Sequence, residues 1–303
     1  MIRPCGPFDF CARLVCAPRL LASFGRRRAW AFAPGSGSGW RTAALAGGLA
    51  SLLSCTTLPA PPAAAVADLA PTGRLRAVIN LGNPTLARRD GSSGDPVGVS
   101  VDLARELARR LGVPLELQAV MSAGEAVDAL AAQRVDLGFF AIDPTRAATT
   151  AYSPAYLQIE GAYLVRSDSP IRSNDEVDRP GVRVAVGARS AYDLHLTRTL
   201  RAATLERAPS SPAVLNHFIA QRLDVAAGVR QQLEADAQRL PGLRLLPGRF
   251  MVIQQAIGMA TGKPAGAGFV AAFVEDAKAS GGVARSLQHH GIDGATVAPA
   301  ASP

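Results

Sequence analysis

After Cys55 the chain has no cysteine; the only four are Cys5, Cys11, Cys16 and Cys55. The body of the protein therefore holds no disulfide, thiolate metal site or cysteine nucleophile. Lysine is nearly absent too, with Lys263 and Lys278 alone among the basic residues that are not arginine. The charge excess of +8 looks at first like a nucleic-acid footprint. Residues 1–55, however, carry seven arginines and one aspartate, leaving 25 basic against 23 acidic residues after them. The body is close to neutral, and a basic nucleic-acid surface is excluded as an expectation. The four histidines, His195, His217, His289 and His290, lack metal-ligand spacing, so neither metal nor cofactor is expected. No GxSxG, P-loop or GxGxxG in a βαβ setting occurs, and no internal repeat. What is present is length and apolar content: 303 residues, 48% hydrophobic, enough for one large or two modest domains.

No hydrophobic run reaches the roughly 20 residues of a membrane-spanning helix. The apolar stretch Thr42–Ser54, preceded by Arg41, has the charge-then-apolar order of a secretory signal. Leu52-Leu53-Ser54-Cys55 resembles the lipobox of bacterial lipoproteins, in which the cysteine is acylated and becomes the mature N-terminus. Cleavage after Ala65-Val66-Ala67 also fits the small-x-small rule and would discard Cys55. Either way the segment 1–55 reads as a targeting segment, and the Pro/Ala-rich 56–73 as a tether outside the core. The expected location is the periplasm, soluble or anchored through Cys55.

From Arg74 onward, short β-branched runs alternate with helical patterns, the mark of α/β layering. Leu75–Ile79, Leu115–Val120, Val135–Phe140, Ala162–Val165, Val182–Val186, Thr204–Ala208 and Asp224–Ala227 read as strands. Leu103, Leu107 and Leu111 form a helical stripe, with Ser100 placed to cap it. Ser122-Ala-Gly-Glu125 is a capping box opening Ala126–Gln133. Ser211-Pro212 offers a cap and an N1 proline, and Pro264–Ser280 a long helix stopped by Gly281-Gly282.

Four segments in order resemble the family 3 solute-binding proteins of bacterial polar amino-acid ABC transporters. Gly98-Val-Ser-Val-Asp-Leu-Ala104 is like that family's G-F-D-x-D-L-A, and Arg134-Val-Asp136 is followed ten residues later by Arg146, as in its K-V-D and T-x-E-R segments. Tyr152-Ser-Pro-Ala-Tyr156 resembles F-S-x-P-Y, and Arg179-Pro-Gly-Val-Arg-Val-Ala-Val186 resembles L-x-G-K-x-V-G-V. The resemblance implies a two-lobed, type II periplasmic-binding-protein-like α/β fold with two crossing strands at the hinge and the ligand in the cleft. Lobe one would comprise 74–166 plus 253–292, lobe two 167–252, with 293–303 a tail. The implied partners are a small-molecule ligand and an inner-membrane ABC permease, with the protein a monomer.

Arg146 is the leading site residue: in the family its position grips the ligand carboxylate, a task suited to the planar guanidinium fork. Phe139 and Ala141, at the end of a strand, offer an apolar wall and backbone groups. Asn80 and Asn83 stand where the family usually has a covering aromatic, and offer amide hydrogen bonds or turn chemistry. Ser190 opens a helix whose N-terminus suits an anion, and would cap that helix in any case. Counting on from Asp224, the aspartate that pairs with a substrate ammonium in the family falls on Val229, followed by Arg230. Glu160 is the candidate replacement carboxylate, so the ligand is either an amino acid held through Glu160 or an organic acid without an ammonium. The competing classes are a cyclohexadienyl-dehydratase-like enzyme, which would need Glu160 as its acid, and a sensor module, for which no signalling domain follows.

Overall fold

The computed structural model describes residues 60–301; the expected signal segment 1–55, with Cys55, lies outside them. The first element is α1 (Ala63–Leu69), an alanine-rich segment of high helix propensity. Ala65 and Leu69 lie one turn apart, are buried, and pack on the long C-terminal helix. The Asp68 carboxylate accepts the Gly266 N–H at 2.9 Å, satisfying a free amide in the first turn of that helix. Residues 63–69 are therefore part of the core, not tether, a correction to the 56–73 reading.

The chain continues through β1 (Leu75–Asn80), the short hairpin β2 (Arg88–Arg89) and β3 (Pro96–Val97), α2 (Val99–Leu111), β4 (Leu115–Val120), α3 (Ala123–Ala131), β5 (Leu137–Ala141), β6 (Thr150–Tyr152) and β7 (Leu157–Arg166). Next come β8 (Arg183–Gly187), α4 (Ala191–Thr199), β9 (Thr204–Ala208), α5 (Val214–Ala220), β10 (Val225–Val229), α6 (Arg230–Arg239) and β11 (Leu243–Leu245). β12 (Met251–Ala260), α7 (Pro264–Ala279), α8 (Gly282–His289) and β13 (Thr296–Val297) complete it.

Ser100 is not the cap of α2. The helix opens at Gly98, whose φ of 131° and close approach to Leu86 O, 2.4 Å from where a Cβ would stand, admit only glycine. Ser100 lies one residue inside the helix, buried, with its Oγ 3.3 Å from the Tyr156 hydroxyl. Ser122 does cap α3, accepting the Glu125 N–H at 3.2 Å, while Glu125 reaches back to the Met121 N–H, one residue beyond the expected capping-box partner. The residues called a tail are also partly structural, since β13 pairs with β7 through Thr296 and Val297.

The main strand order is β4-β1-β5-β12-β7-β10-β8-β9. Parallel β4, β1 and β5 build one half, and parallel β10, β8 and β9 the other. Two long antiparallel strands cross between them: β12 pairs with β5 as well as β7, and β7 with β10 as well as β12. The buried apolar residues divide accordingly, one cluster around Leu107, Leu137 and Val274, others around Val184 and Tyr192 or Leu164 and Phe218. This is a two-lobed α/β architecture, as the sequence implied. Both halves use the same pin. The carboxylate of Asp136, just before β5, accepts the backbone N–H of Arg76 near the start of β1 (2.9 Å), and that of Asp224, just before β10, accepts the Arg183 N–H at the start of β8 (2.8 Å).

Candidate functional site

A small cavity of about 50 Å³ lies where strands from both halves end. Its walls come from the carboxyl end of β1 (Asn80) and the following turn (Asn83), from Phe139 and Ala141 of β5, and from Arg146. Opposite stand Ser190, Ser211 and Val229, which follow or end β8, β9 and β10. The crossing strand β12 adds Ile253 and Gln255. The carboxyl ends of parallel strands leave a crevice of this kind in open α/β sheets.

Arg146 is 7% exposed. The turn that delivers it is set by Asp143, whose carboxylate accepts the Thr145 N–H at 2.8 Å and whose carbonyl accepts the Arg146 N–H at 3.1 Å. The guanidinium donates to two carbonyl oxygens, Ala141 O at 3.4 Å and Arg189 O at 2.7 Å, the second reaching over from the other half, and the buried Tyr152 hydroxyl lies beside it. Burial pulls its pKa down against the opposing fields of Tyr152 and Asp143, yet a guanidinium stays charged. The nearby carboxylate of Asp143 is engaged by Arg198, at 2.7 Å. Among the described residues this buried cation makes no ion pair, which leaves it able to accept an anion.

The other cavity groups divide by what they have left to offer. Asn80 uses its Oδ1 to accept the Gly82 N–H at 2.9 Å, which leaves its amide N–H groups as donors. Gly82 is required there, because a Cβ would stand 2.2 Å from Met121 O. The Oδ1 of Asn83 is buried without a partner. Phe139 packs edge-on to Tyr156, with centroids 6.0 Å apart, and is both core and wall. Ser190 caps α4 by accepting the Asp193 N–H at 3.0 Å, so its hydroxyl proton remains free to donate. Arg189, beside it, adopts the left-handed region at φ 58°, which turns its carbonyl toward Arg146.

Glu160 and Arg230 do not line the cavity. Along β7 the side chains alternate, and Ile159 takes the buried face. Glu160 therefore points to the other face, where it accepts Arg230 Nε at 2.7 Å and Arg249 Nη1 at 2.6 Å. The Arg249 hydrogen bond first, with Arg230 adding to it and burial opposing, holds Glu160 below the usual carboxylate range. The two residues neutralise each other at the back of the crossing strands, which corrects their reading as ligand residues. Conversely, Ser100, Ser211 and Gln255 line the cavity and escape a sequence reading. Ser100 and Ser211 read as helix caps. Gln255 left one signal, an amide inside the apolar run of β12, where it is 4% exposed.

Among the described residues no cluster of three or more His, Cys, Asp or Glu side chains could hold a metal ion. No helix among them is long and apolar enough to cross a membrane.

Solved structures of similar fold include a mutant of the arginine-binding protein ArgBP from T. maritima, at TM-score 0.64 and 22% identity, covering 74% of this chain and 98% of that one. The amino-acid ABC transporter substrate-binding protein AbpA from Streptococcus pneumoniae, bound to L-arginine, aligns at TM-score 0.64 and 17% identity over 73% of this chain and 96% of that one. An ancestral amino-acid-binding protein described as a precursor of cyclohexadienyl dehydratase aligns at TM-score 0.61 and 19% identity, covering 72% and 94%. No curated protein sequence matches the chain. The family model for bacterial extracellular solute-binding proteins, family 3, matches residues 75–291, which span both halves of the sheet and every wall of the cavity, and the chain belongs to that family.

Proposed function

We propose that the protein is the substrate-binding component of an ABC-type uptake transporter, capturing a small carboxylate-bearing solute in the cleft between its lobes. Family membership implies a small-molecule solute, a permease partner and a periplasmic location. The observation that carries the finer reading is Arg146, a buried guanidinium at the cavity wall that makes no ion pair among the described residues. The lobes run over 74–166 plus 253–292, to which α1 and β13 add, and over 167–252, with β7 and β12 as the hinge. Ligand binding joins Arg146 on one lobe to Ser190 on the other, so closure and capture are one event. The permease reads the closed form. The protein acts as a monomer and binds no nucleic acid.

Catalysis is the weaker reading. Expelling water from a substrate needs a carboxylic acid at the reacting atoms. Glu160, the one candidate, is tied to two arginines away from the cavity. Lipidation at Cys55 is favoured over cleavage after Ala67, because the latter would cut α1 in the middle and discard the buried Ala65.

A thermal-shift screen of the exported protein against amino acids, carboxylates and amines tests the function. A carboxylate ligand should raise the melting temperature by linkage, and Arg146→Ala should abolish that rise. A ligand that stabilises both proteins equally would refute the assignment. Globomycin sensitivity and a mature N-terminus at Cys55 would establish the lipoprotein form; a mature chain beginning at Asp68 would refute it.

A further inference from the structure

We infer that the ligand is a small hydroxycarboxylate, a monoanion whose second polar group is a neutral hydroxyl and not an ammonium; this rests on the cleft-binding reading above. The first ground is charge. Among the described residues, Arg146 is the only ionisable acid or base that lines the cavity apart from the phenol of Tyr192, which donates to Ser211 Oγ at 2.8 Å. The two buried carboxylates nearest in the fold are both engaged: Asp143 by Arg198, and Asp193 by Arg207 Nε at 3.0 Å and the Arg189 N–H at 2.7 Å. Glu160 lies on the far face with Arg230 and Arg249. A monoanion neutralises Arg146. A zwitterion would add a second buried cation to a cavity whose walls contain no carboxylate, which is among the most costly arrangements in a protein interior.

The second ground is the remaining hydrogen-bonding inventory. The cavity is rich in donors: Arg146, the Asn80 amide and the Ser190 hydroxyl suit the two oxygens of a carboxylate. Asn83 Oδ1 is buried without a partner, and the Gln255 side chain adds a second neutral amide oxygen to the wall. These acceptors are neutral amide oxygens, which suit a hydroxyl hydrogen, whereas an ammonium brings a full charge that no group of the wall answers. The third ground is size. A cavity of about 50 Å³, where one water needs roughly 10–15 Å³ on the same measure, has room for about three to five water-sized groups, which favours the smallest carboxylates.

Calorimetry and thermal shift on the exported protein with the matched pairs glycolate and glycine, and L-lactate and L-alanine, test this directly. The hydroxy acid of at least one pair should bind, on the order of 100-fold more tightly than its amino partner, and Arg146→Ala should remove that binding. Val229→Asp, which places a carboxylate at the cavity wall, should reverse the preference toward the amino acid. If circular dichroism shows that variant unfolded, Gln255→Glu makes the same test. Equal or tighter binding of the amino member would overturn the ligand class while leaving the cleft function standing, as would failure of a folded acid variant to gain amino-acid affinity. If neither pair binds, the ligand class is refuted. If a wider carboxylate screen is silent as well, the cleft function falls with it.

Discussion

Arg146 and Arg230 both follow the end of an inner strand, Arg146 five residues after β5 and Arg230 directly after β10, and sequence reading placed both at the ligand. Their surroundings are opposite. Arg230 meets Glu160 and, by i,i+4 spacing, Glu234, so its charge is answered within the protein. Arg146 is more deeply buried, yet among the described residues it forms no ion pair. A buried charge answered from within supports structure; one left unanswered is available to a ligand.

Replacing Arg146 is the strongest way to break that contrast. Arg146→Ala should cost about 2–5 kcal/mol of ligand binding by calorimetry. The ligand-free melting temperature should stay level or rise, because a desolvated cation is removed. A fall in ligand-free stability with unchanged affinity would place Arg146 with Arg230 as a structural residue.

Arg230→Ala should do the reverse. It should cost about 1 kcal/mol of stability in denaturant unfolding and leave ligand affinity within about twofold. The pH dependence sharpens the point. Glu160 is held low in the folded protein, so its contribution is present above the ordinary carboxylate range and is lost as pH falls through its lowered folded value. Glu160→Gln should therefore flatten the loss of stability as pH falls below the ordinary carboxylate range. A binding change at neutral pH would return Glu160 to the site.

Ser190 stands between the two cases, since its oxygen caps α4 and its proton is free for a ligand. Ser190→Ala should lower stability by about 1 kcal/mol and binding by about 0.5–1.5 kcal/mol. Loss of stability alone would make it a plain cap. The smallest effect is expected at Asp128, whose carboxylate takes both Nη groups of Arg189 at 2.7 and 2.8 Å across the cleft. The pair is exposed, so Asp128→Asn should cost only about 0.2–1 kcal/mol. It should appear as a severalfold faster ligand release in stopped flow, with little change in melting temperature.

Much of the fold was open to reading in one dimension. Strand and helix periodicities, Ser122 and Ser190 as caps, and glycine and proline as breaks are short-range facts, and each acts within a few residues. Arg146, Asn80, Asn83, Phe139, Ala141 and Ser190 are reached through the family resemblance, and each lines the cavity at or just after a strand end, where such ends converge in an α/β sheet.

The tertiary structure decided what depends on distant partners. Glu160 and Arg230 are 70 residues apart, and only the pairing of β7 with β10 and β12 brings them to one face. Asp68 finds Gly266 across 198 residues, which turns an apparent tether into a helix of the core. Composition sees alanine and proline in that segment but not the groove on α7 that receives Leu69. The sequence determined which residues can carry charge or bend the chain. Packing determined which charges are answered, because electrostatic pairing and desolvation depend on distance in space and not along the chain.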